Sequence, residues 1–265
     1  MGLKLAVSNI AWSKDSDQEV FEYLKKKSIP GLEIAPTRIF ENNPYDAIGQ
    51  AKLYRDSLYS KYGLTVCSLQ SFWFGKTEKI FGAAEERKEL IDYTKQAILF
   101  AEAIGAGNLV FGCPKNRNLE SKLDRTIEES FFKEIASFAE RHNTVVAMEA
   151  NPTIYGTNYI NKTSDAIELV RRIDSKGFKL NLDFGTIIQN SEDLDFIISN
   201  IDAINHVHIS EPYLNKIVER NEHKVLIKAL TDCRYSGFVS IEMKKQENIE
   251  DVYSTIEYLM DITRE

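Results

Sequence analysis

The chain has 265 residues, a formal net charge of −7, 43% hydrophobic and 28% charged residues, the balance of an ordinary water-exposed globular chain. No apolar run approaches the roughly 18 residues of a membrane span, and acids scattered along the chain leave no basic footprint for a nucleic-acid backbone. Three widely spaced cysteines, Cys67, Cys113 and Cys233, form neither a disulfide framework nor a C-x-x-C site, so a cytoplasmic protein without membrane or nucleic-acid partners is expected.

In chain order, "MGLKLAVSNIAW" has too short an apolar run for a secretory leader and reads as a first strand. "GLEIAPT", "LTVCSLQSF", "NLVFG", "TVVAMEANP", "FKLNLDFG", "INHVHIS" and "GFVSIEMK" supply seven more β-rich runs. Between them lie stretches of helical length and periodicity, among them Glu85 to Ile104, Leu119 to His142 and Ile249 to Ile262. With no Pro/Ser linker or shift in composition, residues 1–265 are expected to form one α/β domain, a (β/α)8 TIM barrel, with an open doubly wound sheet as the alternative. Gly105 and Gly107 in "IGAGNLVFG" precede a strand instead of following one, and Val110 stands where a third glycine is required, so no nucleotide cofactor is expected.

The last four strands end in chemistry. Glu149, Asp183, His208 and Glu242 are separated by 34, 25 and 34 residues, each about one strand-helix unit, so a barrel would gather them on its carboxyl-end rim. Their apolar neighbours of opposite parity, such as Met148, Leu182, Val207 and Ile241, would face the helices. One layer deeper, the inward column would hold Ala147, Asn181, His206 and Ser240. A single acid ending a strand is commonly a rim salt bridge or loop cap, but three carboxylates converging in a low-dielectric site repel one another unless a cation joins them. Oxygen-rich ligation with one imidazole suits one divalent ion, Mn²⁺ first, with Mg²⁺, Co²⁺ or Zn²⁺ also open. His206 would support this site from below or be a hydrogen-bonded core residue.

"VVAMEANP", "KLNLDFG", "HVHISEP" and "VSIEMKK" together resemble the xylose isomerase-like barrel superfamily, in the sugar or sugar-phosphate isomerase and epimerase branch that includes ketose 3-epimerases. The resemblance implies a metal held by Glu149, Asp183, His208 and Glu242, with Glu149 and Glu242 also the catalytic acid/base pair that moves a proton through a cis-enediolate. Return of the proton to the same carbon gives an epimer; transfer to the neighbouring carbon gives aldose-ketose isomerisation. Two departures stand out. Thr186 replaces a histidine frequent three residues after the aspartate, and Tyr155 stands where epimerases commonly place an acid, so an altered substrate pocket is expected.

Further substrate-binding candidates are Glu33 and Gln70, of inward parity near strand ends, and Asn151 and Tyr155 after the fifth strand. Lys115, Asn116 and Arg117, on the loop after the fourth strand, can hold a phosphate or carboxylate. Arg220 is a candidate contact for a sugar oxygen, His223 is expected to pack or cap locally, and Trp73 and Phe74 suit either a pocket wall or plain core. The expected partner is a small carbohydrate or sugar phosphate, with a homo-oligomer left open. A metal-dependent lyase or dehydratase, or a binding barrel without catalysis, is an alternative. An abasic-site endonuclease is disfavoured because four histidines are too few for its three-metal cluster.

Overall fold

Short β-branched runs alternate with longer amphipathic stretches, and in the computed structural model, which describes residues 2–264, the alternation closes on itself. The strands β1 (Lys4–Ser8), β2 (Gly31–Ile34), β3 (Thr65–Leu69), β4 (Leu109–Phe111), β5 (Val146–Glu149), β6 (Phe178–Asp183), β7 (Ile204–Ile209) and β8 (Phe238–Ile241) are parallel and follow one another around a barrel. Pairing of β8 with β1 removes the open-sheet alternative. Each strand falls inside one of the eight β-rich runs.

The helices are α1 (Asp17–Lys26), α2 (Pro36–Ile39), α3 (Ile48–Tyr62), α4 (Ala84–Ile104), α5 (Arg125–Arg141), α6 (Thr163–Ile173), α7 (Phe184–Asn190), α8 (Leu194–Ile198), α9 (Asn221–Asp232) and α10 (Ile249–Ile262). Helix α6 shows why they dock: Ala166, Ile167, Leu169, Val170 and Ile173 recur at helical spacing and are all buried. Helix α5 begins at Arg125, later than the expected Leu119. The Asp124 carboxylate caps it by accepting from the backbone N–H groups of Thr126 and Ile127, while Leu119 N–H, in the loop before α5, is held at 2.8 Å by Asn158 Oδ1 from the loop after β5. Among the described residues, no helix is long and apolar enough to cross a membrane.

Val146, Met148, Leu180, Leu182, Val207 and Val239 are wholly buried in the cluster shared with the helices, as their parity predicts. The inward column differs from expectation in its register. Glu149 is level with Asn181, Asp183 with His208, and His208 with Ser240, so the four strand-end residues do not form one flat layer. A closed barrel needs tilted, staggered strands, which spirals the inward side chains around the axis. Asn181 therefore stands beside Glu149, and Glu242 projects from just beyond the end of β8.

Candidate metal centre

Glu149 ends β5 and is gripped from three sides. Its backbone carbonyl accepts from Arg117 Nη1 at 2.9 Å, its Oε2 from Asn151 Nδ2 at 3.0 Å, and its Oε1 from Asn181 Nδ2 at 2.8 Å. Gly112 lies so close that a Cβ there would sit 2.9 Å from Glu149 Oε2. Asp183 ends β6 and also caps α7: its Oδ2 accepts from both Thr186 N–H and Thr186 Oγ1–H at 2.8 Å. Its Oδ1 accepts from the Ser210 hydroxyl.

His208 lies at the bottom of the group, fully buried. Its Nδ1 is 3.0 Å from Glu242 Oε2 and 3.2 Å from Glu149 Oε1, and its Nε2 is 2.9 Å from Glu33 Oε2 on the opposite side of the ring. Glu149, Asp183, His208 and Glu242 each present a ligand atom, all within 4.8 Å of one another, a buried donor set that fits a divalent cation.

The electrostatics agree with that fit. Burial, with Glu149 adding to it, raises the Asp183 carboxyl to about 6 against the hydrogen bonds from Ser210 and Thr186. Burial likewise raises Glu242 to about 7, with His208 opposing and Glu149 and Glu33 contributing. Burial would lower the His208 imidazole, but Glu242, Glu33 and Glu149 outweigh it and hold its pKa well above the usual range. Two carboxylate charges about 4 Å apart repel by roughly 4 kcal/mol at an effective dielectric near 20. Protons are shared among these groups where a cation would otherwise neutralise them.

A cavity of about 200 Å³ opens over the cluster, below the roughly 300–1,000 Å³ of drug-sized sites and suited to a small molecule. Gln70, Asn151 and Tyr155 line it together with Glu149, Asp183 and Glu242. The Tyr155 hydroxyl, raised to about 12 by burial, accepts from Tyr213 N–H at 2.8 Å and links the loops after β5 and β7.

The other expected pocket residues are placed elsewhere. Glu33 is wholly buried beneath His208 instead of facing the cavity. Arg117 is no rim cation: it is fully buried, with Nη1 on the Glu149 carbonyl and Nη2 on Asn151 Oδ1 at 2.8 Å. Asn116 points away, donating to the carbonyls of Lys76 and Glu78, and Lys115 is exposed outside the lining. Arg220 is committed to Glu211 through two hydrogen bonds of 2.8 and 2.7 Å. Arg117 and Arg220 lose the cavity because a backbone carbonyl, an amide oxygen and a carboxylate satisfy them first.

His223 packs as expected, against Phe184 and with Nδ1 3.0 Å from the Tyr258 hydroxyl, and burial lowers it to about 4. Trp73 is core, donating from Nε1 to Thr94, whereas Phe74 is exposed and lines no part of this cavity. Ser210, Cys113 and Leu214 are not singled out by the sequence as parts of the site, and Asn181, expected one layer below it, stands beside Glu149. Ser210 continues the inward parity of His206 and His208 and was legible on that ground; Leu214 carried no comparable signal.

A family model described as "Xylose isomerase-like TIM barrel" matches residues 21–262. A 3-keto-D-glucoside 4-epimerase from E. coli superposes with TM-score 0.75 at 19% identity, over 98% of this chain and 99% of that one. D-Psicose 3-epimerase from Clostridium cellulolyticum H10 gives 0.78 at 14%, over 99% and 98%. A probable 3-DHS dehydratase of petrobactin synthesis from Bacillus anthracis gives 0.72 at 16%, over 97% and 99%. At these identities the likeness establishes the fold. A search of curated proteins found no match to this sequence.

Proposed function

The chain belongs to the xylose isomerase-like TIM barrel family, and from that premise we propose that it is a divalent-metal-dependent epimerase or isomerase of a small, unphosphorylated sugar. The observation that carries this reading is the convergence of Glu149 and Glu242 with Asp183 and His208 on one buried cavity. Those four residues would hold the ion, Mn²⁺ being the best match to three carboxylates and an imidazole. When bound, the ion supplies Lewis acidity toward a carbonyl and its neighbouring hydroxyl, making the C–H between them acidic.

The chain's own groups do the rest. One of Glu149 and Glu242 removes that proton and the other returns one to the enediolate, so two carboxylates on different strands can serve opposite faces of a substrate. Asn151 and Asn181, donating to the two oxygens of Glu149, hold its carboxylate in one orientation. Gln70, Asn151 and Tyr155 offer hydrogen-bonding groups to sugar hydroxyls. Among the described residues lining the cavity there is no lysine or arginine, so a phosphate dianion would meet three carboxylates with no cationic side chain to hold it. That favours a neutral substrate over a sugar phosphate.

A lyase is the second reading, favoured by Tyr155. Its hydroxyl oxygen accepts from Tyr213 N–H, so the phenolic proton remains for a departing hydroxyl in the cavity, and one of the similar structures is a probable dehydratase. Deuterium uptake from D₂O across neutral ketoses and their phosphates, with product identification, tests these readings. Exchange at carbon with an epimeric or isomeric product supports the first, loss of water the second. Exchange confined to phosphorylated sugars would overturn the neutral-substrate reading.

A further inference from the structure

The floor of the site holds a buried network centred on Glu33, a residue that the proposed chemistry does not use. Glu33, the third residue of β2, is fully buried, and its Oε2 faces two imidazoles: His208 Nε2 at 2.9 Å and His206 Nε2 at 3.3 Å. Its Oε1 is 3.5 Å from Gln70 Nε2, which is itself held by the Ser8 hydroxyl. A carboxylate ion has no proton to give, so a hydrogen bond to it must come from the imidazole. On the other side of the His208 ring, Nδ1 is flanked by Glu149 Oε1, Glu242 Oε2 and the Asn181 amide at 3.3 Å. The two nitrogens of one ring thus face different partners.

We propose that Glu33 is a positioning residue: it accepts the Nε2 proton of His208, fixes that tautomer, and leaves Nδ1 as the nitrogen presented to a divalent ion. The inference rests on the metal reading above and adds to it a residue from the second strand, across the barrel from the strands that carry the ligands. A metal-bound imidazole commonly donates its other N–H to a carboxylate or carbonyl, which sets ring orientation and strengthens the ligand. Glu33, His206 and His208 also lie close enough to hold an ion themselves, but His208 would then have to surrender both ring protons to serve two ions. A carboxylate receiving the His208 Nε2 proton is satisfied without a second cation, and His206 Nε2, 3.3 Å away, places a second imidazole beside it.

The test is titration of wild type, Glu33→Ala and Glu33→Gln with Mn²⁺ and with Zn²⁺, together with ¹⁵N–¹H correlation of the histidines in Zn²⁺-loaded wild type. We expect Glu33→Ala to weaken ion binding by about 10–100-fold, and Glu33→Gln, whose amide oxygen still accepts a hydrogen bond, to recover most of the loss. The spectrum should show the His208 proton on Nε2 and the ion on Nδ1; this measurement on wild type stands even if the alanine variant fails to fold. An ion on Nε2, a second ion per chain lost with His206→Ala, or wild-type affinity in folded Glu33→Ala would overturn the inference while the metal reading stands. Wild type that takes up neither Mn²⁺ nor Zn²⁺ would overturn both.

Discussion

Asp183 and Glu242 are carboxyl groups whose surroundings favour the proton, with pKa values of about 6 and about 7 in the metal-free protein. Ligation needs them ionised, so an incoming cation must displace those protons. The affinity for Mn²⁺ is therefore expected to rise from about pH 5 to about pH 8, with the proton release from these two carboxyl groups diminishing above pH 7 while that from His208 persists; calorimetry in buffers of different ionisation enthalpy measures both, and a flat profile would remove these residues from the ligand set. Asp183→Asn and His208→Ala should each lower ion content of the purified protein, read by elemental analysis. Glu149→Gln or Glu242→Gln should abolish carbon-bound deuterium exchange, and a variant that still binds the ion without exchanging separates the proton-moving role from ligation. Arg117, unlike these, reads from sequence as a cation free to hold a phosphate or carboxylate, whereas its side chain is buried. Its position depends on the Glu149 carbonyl and Asn151 Oδ1, partners 32 and 34 residues away in the chain. Arg117→Met would leave both acceptors without this donor and is expected to cost about 2–3 kcal/mol in chemical denaturation.

Strand ends and helix starts are shared pieces of machinery in this molecule. Asp183 is at once the last residue of β6 and the cap of α7, so the helix start orients a candidate ligand. The bond from Thr186 to Asp183 gives a physical role to the residue that departs from the family pattern. Thr186→Ala removes the hydroxyl and leaves the backbone cap, so a modest loss of ion affinity is expected with little change in fold. Gly112, just after β4, is needed for space: its added Cβ would press on Glu149 Oε2. Gly112→Ala should weaken ion binding by about tenfold or more, a shift of at least 1.4 kcal/mol, in a titration of the folded variant; unchanged affinity would mean that Glu149 can move aside freely. Helix α10 was placed correctly because its apolar spacing is local, whereas the start of α5 depended on a cap and on a neighbouring loop.

Over the whole molecule, barrel closure turns separate strand ends into one charged centre, and that centre makes stability depend on pH. The native pKa values of Asp183 and Glu242, about 6 and about 7, lie above the roughly 3.9 and 4.3 of unfolded chains. The folded state therefore binds more protons between about pH 4 and about pH 7, and the stability from these groups, full below that window, is lost as pH rises through it. His208, raised well above its usual value, has the same sign at higher pH. The contribution of these groups to the Tm of the metal-free protein is expected to fall from about pH 5 to about pH 8, opposed up to about pH 6.5 by His223, whose lowered pKa adds stability as pH rises, and Mn²⁺ at a hundredfold excess over its Kd is expected to add about 2.7 kcal/mol. Calorimetric scans of wild type and Glu242→Gln, with and without the ion, measure this, and a metal-free wild-type Tm that does not fall relative to Glu242→Gln as pH rises through the window would contradict the assigned proton distribution. The sequence by itself determined the alternating architecture, the eight strand positions and the strand-end set Glu149, Asp183, His208 and Glu242, because periodicity and unit length are local properties that a barrel converts directly into rim positions. Only the tertiary structure decided the stagger that puts Asn181 beside Glu149, the burial of Arg117, and the placing of Glu33 under His208. Those outcomes depend on strand tilt and on which distant acceptor reaches a side chain first, quantities that exist only once the barrel has closed.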